Sequence, residues 1–149
     1  MLTFLINMAA LLFAAVLLCF ALLPGIGFSF EEVLSESMRP AFSTEDLLLC
    51  DLRERELSAG DIAVFQKGGM RIFHRVLEKT PEGYRTGGDA NGAPDGFTVR
   101  AEEIEGRCIS VIRGGKYFLL FIRSPYVFAA AGLLIILQGI AGRLRTEEI

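Results

Sequence analysis

The chain has few of the residues that a metal site or a nucleic-acid surface requires. Its 149 residues include a single histidine and three cysteines, and no two cysteines have the C-x-x-C spacing. These residues cannot supply the ligands of an ordinary zinc site. No basic stretch is interleaved with aromatic residues, and the net charge is −3, so the sequence predicts neither a metal nor a nucleic-acid partner. It leaves open whether Cys50 and Cys108 pair.

Charged side chains are absent from Met1 to Phe30. The apolar run in this stretch exceeds the ~20 residues that a helix needs to cross a bilayer. A cleaved secretory signal would have basic residues at its start and a shorter apolar centre, and this segment has neither. We therefore predict a retained transmembrane anchor at residues 1–24, followed by a linker at residues 25–32, because PGIGFSFEE begins with a Pro and Gly typical of a linker.

A second uncharged run covers residues 124–142 and is about long enough to span a membrane. Arg143 and Arg145 follow it directly, and under the positive-inside bias they favour a cytoplasmic tail at residues 143–149. Both termini then lie on the cytoplasmic side. Residues 33–123 have room for one compact domain, which we expect outside the cytoplasm at a cell membrane.

The middle of the chain has the composition of β-strands. Short runs rich in Val, Ile and Phe are bounded by Gly, Asp or Pro. Helical periodicity is absent from Leu47 to Gly115, and only RAEEIEG is typical of a helical turn. The predicted fold is therefore mainly β, with a hydrophobic helix at each end. The predicted strands are DLLLCDL, DIAVFQ, MRIFHRVLEK, GYRTGG, FTVR and GRCISVIR.

The only histidine lies within the predicted strand MRIFHRVLEK. Successive side chains on a strand point to opposite faces, so His74 shares the more apolar face with Met70, Ile72 and Val76. On this strand alone, a core histidine with a satisfied hydrogen bond is the better interpretation. Likewise, Asp89 and Asp95 in GGDANGAPDG are by themselves typical of a hairpin loop.

The segment VLSESMRPAF contains candidates for nucleophilic chemistry. A hydroxyl nucleophile needs a base within hydrogen-bond reach, a group that orients the base, and donors aimed at the developing oxyanion. Ser37 precedes Met-Arg-Pro, where Pro40 disfavours helical geometry at Arg39 and helps to fix a turn. Ser35 points to the same side in an extended segment, so its hydroxyl is a candidate oxyanion donor beside the Ser37 amide.

Three segments together resemble the catalytic boxes of signal peptidase I. SESMRP resembles the nucleophile box S-x-S-M-x-P. FHRV resembles the second box of the endoplasmic-reticulum-type branch, which has His where most bacterial members have Lys, and GGDANGAPD resembles that branch's G-D-x-N box with a second Asp six residues on. GDIAVF and EGRCISVI are similar to strands of the family. Glu36 and Ala90 depart from the Gly and Asn that are frequent at their positions.

The resemblance implies a role for each candidate residue in a signal-peptidase-type β domain. Ser37 would be the nucleophile, His74 the general base and Asp95 the residue that orients His74. Asp89 would be a supporting carboxylate, and the Ser35 hydroxyl and the Ser37 amide would bind the oxyanion. The chemistry implied in this way requires no cofactor.

The resemblance also implies a membrane-bound serine endopeptidase that removes signal peptides from secretory preproteins. The sequence names neither the preproteins nor any accessory subunit. One alternative is a catalytically inactive, membrane-tethered β module that acts as a scaffold or assembly subunit, which the intact Ser, His and Asp disfavour. Another is a self-cleaving repressor peptidase, which pairs Ser with Lys and is disfavoured by His74 and the predicted spans.

Overall fold

The computed structural model describes residues 2–146, which fall into two compact units that divide after Lys116. The helices are α1 (Leu2–Leu22), α2 (Gly115–Arg123) and α3 (Pro125–Thr146), with short 3-10 helices at Leu23–Ile26 and Ala101–Glu103. The strands are β1 (Phe28–Glu32), β2 (Leu47–Asp51), β3 (Ile62–Lys67), β4 (Met70–Thr80), β5 (Gly83–Gly87), β6 (Thr98–Val99) and β7 (Ile104–Ile112). The prediction of a mainly β fold is confirmed.

The described strands form one seven-stranded sheet in the order β1-β2-β7-β3-β4-β5-β6, and all neighbours are antiparallel. Side chains alternate along β3, so Ala63 and Phe65 belong to one apolar cluster whereas Val64 belongs to another. The two clusters therefore lie on opposite faces of the sheet. The first consists of Leu57, Ala63, Phe65, Val76, Tyr84, Val99 and Ile104, and the second of Val33, Met38, Phe42, Leu48, Cys50 and Val64.

Residues 25–32, which the sequence predicts as a linker, include a strand. Only the first part of this range lacks strand structure, because Phe28–Glu32 forms β1 and pairs with β2 along its whole length. The segment Phe-Ser-Phe-Glu-Glu has aromatic residues at alternate positions, which suits a pleated sheet. Pro24 and Gly25 before this segment are typical of a linker, whereas its hydrogen bonds to β2 make it a strand. In RAEEIEG, the helical turn is limited to Ala101–Glu103, and β7 begins at Ile104.

The uncharged run at each end of the chain is helical, as α1 and α3. Among residues 2–146, no helix has the combination of length and apolarity that crossing a membrane requires. The spans predicted at residues 1–24 and 124–142 are therefore not supported by the structure. The last three residues of the predicted tail, 147–149, lie outside the described residues.

The two cysteines of the sheet are direct partners across β2 and β7. Cys50 lies opposite Cys108 in the register, beside an irregularity between Leu49 and Cys50. Both thiols are free, and Cys50 is fully buried. A hydrogen bond with Cys108, together with burial, raises the pKa of the Cys50 thiol, and the same hydrogen bond lowers the pKa of Cys108. The structure thus brings the two residues together in the thiol form.

Candidate active site

Ser37 lies in a turn that follows β1 and is held by two large apolar side chains. Met38 and Phe42 are each 1% exposed and belong to the second apolar cluster. The Phe42 N–H donates to the Met38 carbonyl at 3.2 Å, which closes the turn between them. Burying side chains of this size stabilises their position by roughly 1.5–3 kcal/mol each. The Met that follows the serine therefore fixes the turn to the core while the Ser37 hydroxyl stays accessible.

Glu36 ties the beginning of this turn to its end. Its carboxylate accepts hydrogen bonds from the Thr44 hydroxyl at 2.6 Å and the Thr44 N–H at 3.2 Å, and it pairs with Arg39. The Thr44 hydroxyl, followed by Arg39, lowers the Glu36 pKa to about 2. The contribution of this charged link to folding is fully present above the ordinary pKa of 4.5 and is lost as the pH falls through about 2. Glu36 thus stabilises the turn that carries Ser37.

The structure brings Ser37, His74 and Asp95 into hydrogen-bond contact. His74 lies on β4 with 9% of its surface exposed. Its Nδ1 is 2.7 Å from Asp95 Oδ2, and its Nε2 is 3.2 Å from Ser37 Oγ. The Ser35 and Ser37 hydroxyl oxygens are 3.2 Å apart. Both ring nitrogens of the buried imidazole therefore face a group with which a proton can be shared.

Asp89 does not join this chain of contacts. Its carboxylate pairs with Arg75, which donates through Nε at 2.8 Å and Nη2 at 2.6 Å. The hydrogen bond with Asp89 raises the Arg75 pKa, and Arg75 Nη1 also donates to the Gly60 carbonyl at 2.7 Å. Arg75 was not among the predicted site residues. It follows His74 on β4 and points to the opposite face, so Asp89 fixes the loop to the strand from that side.

The loop after β5 also contacts the backbone of the serine turn. The Ala90 N–H donates to the Ser37 carbonyl at 2.8 Å. A Cβ placed on Gly88 would lie 2.5 Å from the same carbonyl oxygen, so only glycine fits this approach. The Asp95 N–H donates to the Thr86 carbonyl at 2.8 Å. These contacts set the distance between the loop that carries Asp95 and the turn that carries Ser37.

A groove with a volume of about 660 Å³ opens beside Ser37 and His74. Ser35, Ser37 and His74 lie on its wall. Its remaining lining is mostly apolar and includes Val33, Leu34, Met70, Ile72 and Phe73. An extended apolar or small-residue segment can therefore lie next to Ser37 Oγ. In the described residues, no three His, Cys, Asp or Glu side chains gather as a metal ion would require.

Comparisons with known proteins identify relatives of this chain. Residues 29–86 match the Peptidase S24-like family. Signal peptidase I W of Bacillus subtilis is 34% identical over 85 residues, which cover 52% of this chain but only 45% of that protein.

Longer matches come from fungi. The signal peptidase complex catalytic subunit SEC11 of Leptosphaeria maculans is 32% identical over 126 residues, covering 71% of this chain and 73% of the relative. The corresponding subunit of Pyrenophora tritici-repentis matches with the same identity and coverage. The serine turn, the histidine strand and the aspartate loop thus occur in a chain with relatives named for signal peptidase catalysis. The chain belongs to the signal peptidase I family of serine peptidases, in its endoplasmic-reticulum-type branch.

Proposed function

We propose that this chain is a membrane-bound serine endopeptidase that removes signal peptides from secretory preproteins. One observation supports this most strongly, namely that His74 lies 2.7 Å from Asp95 and 3.2 Å from Ser37 through its two ring nitrogens. The preprotein substrate is proposed from the names of the relatives, and the apolar groove beside Ser37 suits it.

In the proposed mechanism, Ser37 Oγ attacks the carbonyl carbon of the scissile peptide bond while His74 Nε2 accepts its proton. Asp95 holds the imidazole and stabilises the imidazolium that forms. The tetrahedral intermediate then collapses, and His74 donates the proton to the leaving amine. A water molecule, deprotonated by His74, attacks the acyl-enzyme and releases the second product. No step requires a cofactor.

The direct test is cleavage of a preprotein by the purified chain in detergent. We expect a single cut after a small residue at the end of the apolar signal segment, located by mass spectrometry. A fluorophosphonate probe should label Ser37. A chain that neither cuts nor takes the label would support the scaffold alternative, and a chain that cuts only itself would support the self-cleaving alternative.

Ser35 is proposed to donate to the oxyanion together with the Ser37 amide. Removing one oxyanion donor typically lowers turnover by ~10²–10³. We therefore expect Ser35→Ala to lower kcat by about this factor and to leave KM and Tm near their wild-type values. Steady-state kinetics with thermal melting would check this result. A wild-type kcat would assign the oxyanion to another donor.

Gly88 is expected to control the fit between the aspartate loop and the serine turn. In Gly88→Ala the new methyl group would meet a backbone oxygen at 2.5 Å and the Asn91 amide at 2.8 Å. Either the loop or the turn must shift, and a displacement of about 1 Å can lower a rate by ~10².

Gly92→Ala is the matched control for Gly88→Ala, because nothing lies within 4 Å of its added Cβ. We expect Gly92→Ala to cleave the preprotein at the wild-type rate. Equal rates for the two variants would show that the close approach at Gly88 has no effect on the site.

Membrane attachment is proposed to occur through α1. This helix has no charged side chain, and Phe4, Leu5, Leu11, Leu12 and Leu18 each expose more than half of their surface. Lipid would bury this apolar area. The double variant Leu11→Glu, Leu12→Glu should no longer float with lipid vesicles on a density gradient. The same positions changed to alanine provide the uncharged control, and failure of the wild-type chain to float would contradict the proposed tether.

A further inference from the structure

Thr86 lies behind the aspartate that contacts His74. It is on β5, and none of its surface is exposed. Its Oγ1 donates to Asp95 Oδ2 at 2.6 Å, and the same carboxylate oxygen faces His74 Nδ1 at 2.7 Å. A continuous chain of hydrogen-bond contacts thus runs from Thr86 through Asp95 and His74 to Ser37.

Thr86 holds Asp95 at two points. Its backbone carbonyl accepts the Asp95 N–H at 2.8 Å, and its hydroxyl donates to the carboxylate. The terminal torsion of an aspartate side chain is broad and poorly restrained by itself, whereas the β-branched threonine has few rotamers. The backbone contact therefore fixes the main-chain position of Asp95, and the Thr86 hydroxyl fixes the direction in which the Asp95 carboxylate points.

The position of Thr86 is fixed independently of Asp95. Thr86 pairs with Val76 in the register between β4 and β5, and His74 precedes Val76 by two residues on β4. The threonine and the histidine are therefore held by the same pair of strands. A buried hydroxyl requires a hydrogen-bond partner. In this structure the partner is the carboxylate oxygen that faces the imidazole.

We propose that Thr86 is a positioning residue that keeps Asp95 Oδ2 aligned with His74 Nδ1 through its hydroxyl hydrogen bond. This role rests on the proposed peptidase function. Thr86 touches neither Ser37 nor the groove, so its effect passes through Asp95 to the imidazole. Loss of the hydroxyl should lower the rate of the chemical steps and leave substrate binding unchanged.

Thr86→Val removes the hydroxyl and nearly preserves the shape of the side chain. We expect a fall of about 10²-fold in kcat with an unchanged KM, the size expected for a misplaced catalytic group. Thr86→Ser restores the donor and should recover most of the wild-type kcat. Thr80→Val is the matched control, because the Thr80 hydroxyl donates to the Gly83 carbonyl, away from Asp95.

A spectroscopic measurement separates positioning from general stability. His74 is the only histidine, so its ring protons can be assigned in a proton NMR spectrum without ambiguity. A low-field Nδ1 proton should be visible in the wild-type chain, in Thr86→Ser and in Thr80→Val, and it should be broadened or lost in Thr86→Val. If Thr86→Val does not fold, Thr86→Cys provides a weaker donor of similar size, and its kcat should be lower than that of Thr86→Ser.

The outcomes distinguish this proposal from the proposed function. A wild-type kcat and a wild-type Nδ1 signal in Thr86→Val would overturn the role of Thr86, as would a loss in Thr86→Ser equal to that in Thr86→Val. Failure of the wild-type chain to cut any preprotein, or undiminished cutting by Ser37→Ala, would overturn the peptidase function instead. In that case the Nδ1 signal still decides whether Thr86 aligns Asp95 with His74.

Discussion

Ser37→Ala should lower the turnover of a preprotein by roughly 10⁶, the loss that follows removal of the nucleophile in serine peptidases of this chemistry. The substitution deletes the hydroxyl oxygen that lies 3.2 Å from His74 Nε2 and that attacks the carbonyl carbon in the proposed mechanism. No acyl-enzyme can then form. Cells that express this variant in place of the wild-type chain should accumulate uncut preproteins, which immunoblotting would detect by size.

The fold should survive this change. The turn that carries Ser37 is fixed by the buried side chains of Met38 and Phe42 and by the Glu36 contacts, none of which involves the Ser37 hydroxyl. We therefore expect the Tm of Ser37→Ala to match that of the wild-type chain and the fluorophosphonate probe to give no label. Continued cutting with a wild-type rate constant would remove Ser37 from the mechanism.

Asp95→Asn is expected to lower turnover by ~10⁴ with little change in Tm. The amide is nearly isosteric with the carboxylate, so packing of the buried side chain is preserved. If the amide nitrogen faces His74, it donates to Nδ1 and enforces the wrong tautomer. If the oxygen faces His74, the negative charge that stabilises the imidazolium is still missing. Both arrangements leave Ser37 without an effective base.

Asp89→Asn is the matched comparison, because it makes the same chemical change six residues earlier in the same loop. Asp89 forms a two-point ion pair with Arg75, and both side chains are partly exposed. Such a pair contributes at most about 1 kcal/mol, so we expect the Tm to fall by no more than about 5 °C and a smaller loss of activity than in Asp95→Asn.

Turnover and thermal melting of both aspartate variants provide the test. An active Asp95→Asn together with a folded but inactive Asp89→Asn would exchange the two assignments. The structure already separates the aspartates by contact, because only Asp95 faces the imidazole. The sequence could propose this division of roles only through its resemblance to a family, since both residues lie in one glycine-rich loop.

The sequence predicted most of the sheet because its signals are local. Runs such as DIAVFQ and MRIFHRVLEK have β-branched and aromatic residues between turn residues, and they lie close to β3 and β4 as observed. β1 was missed because Pro24 and Gly25 are typical of a linker, and only its pairing with β2 makes the segment a strand. Counting back across the hairpin from Pro81 and Glu82 would place Thr86 opposite Leu77, and it lies opposite Val76 because the register shifts between Val76 and Glu78.

By itself, the sequence determined the β-rich character of the domain and supplied a serine, a histidine and two aspartates for the site. Composition and period-two patterning act over a few residues, so they can be recognised without knowing the fold. Only the tertiary structure decided that Asp95 faces His74, that Asp89 faces Arg75 and that Thr86 supports the first of these contacts. The hydrogen bonds join residues 9 to 21 positions apart, and their formation depends on the register of β4 and β5 and on the close approach of the aspartate loop to the serine turn.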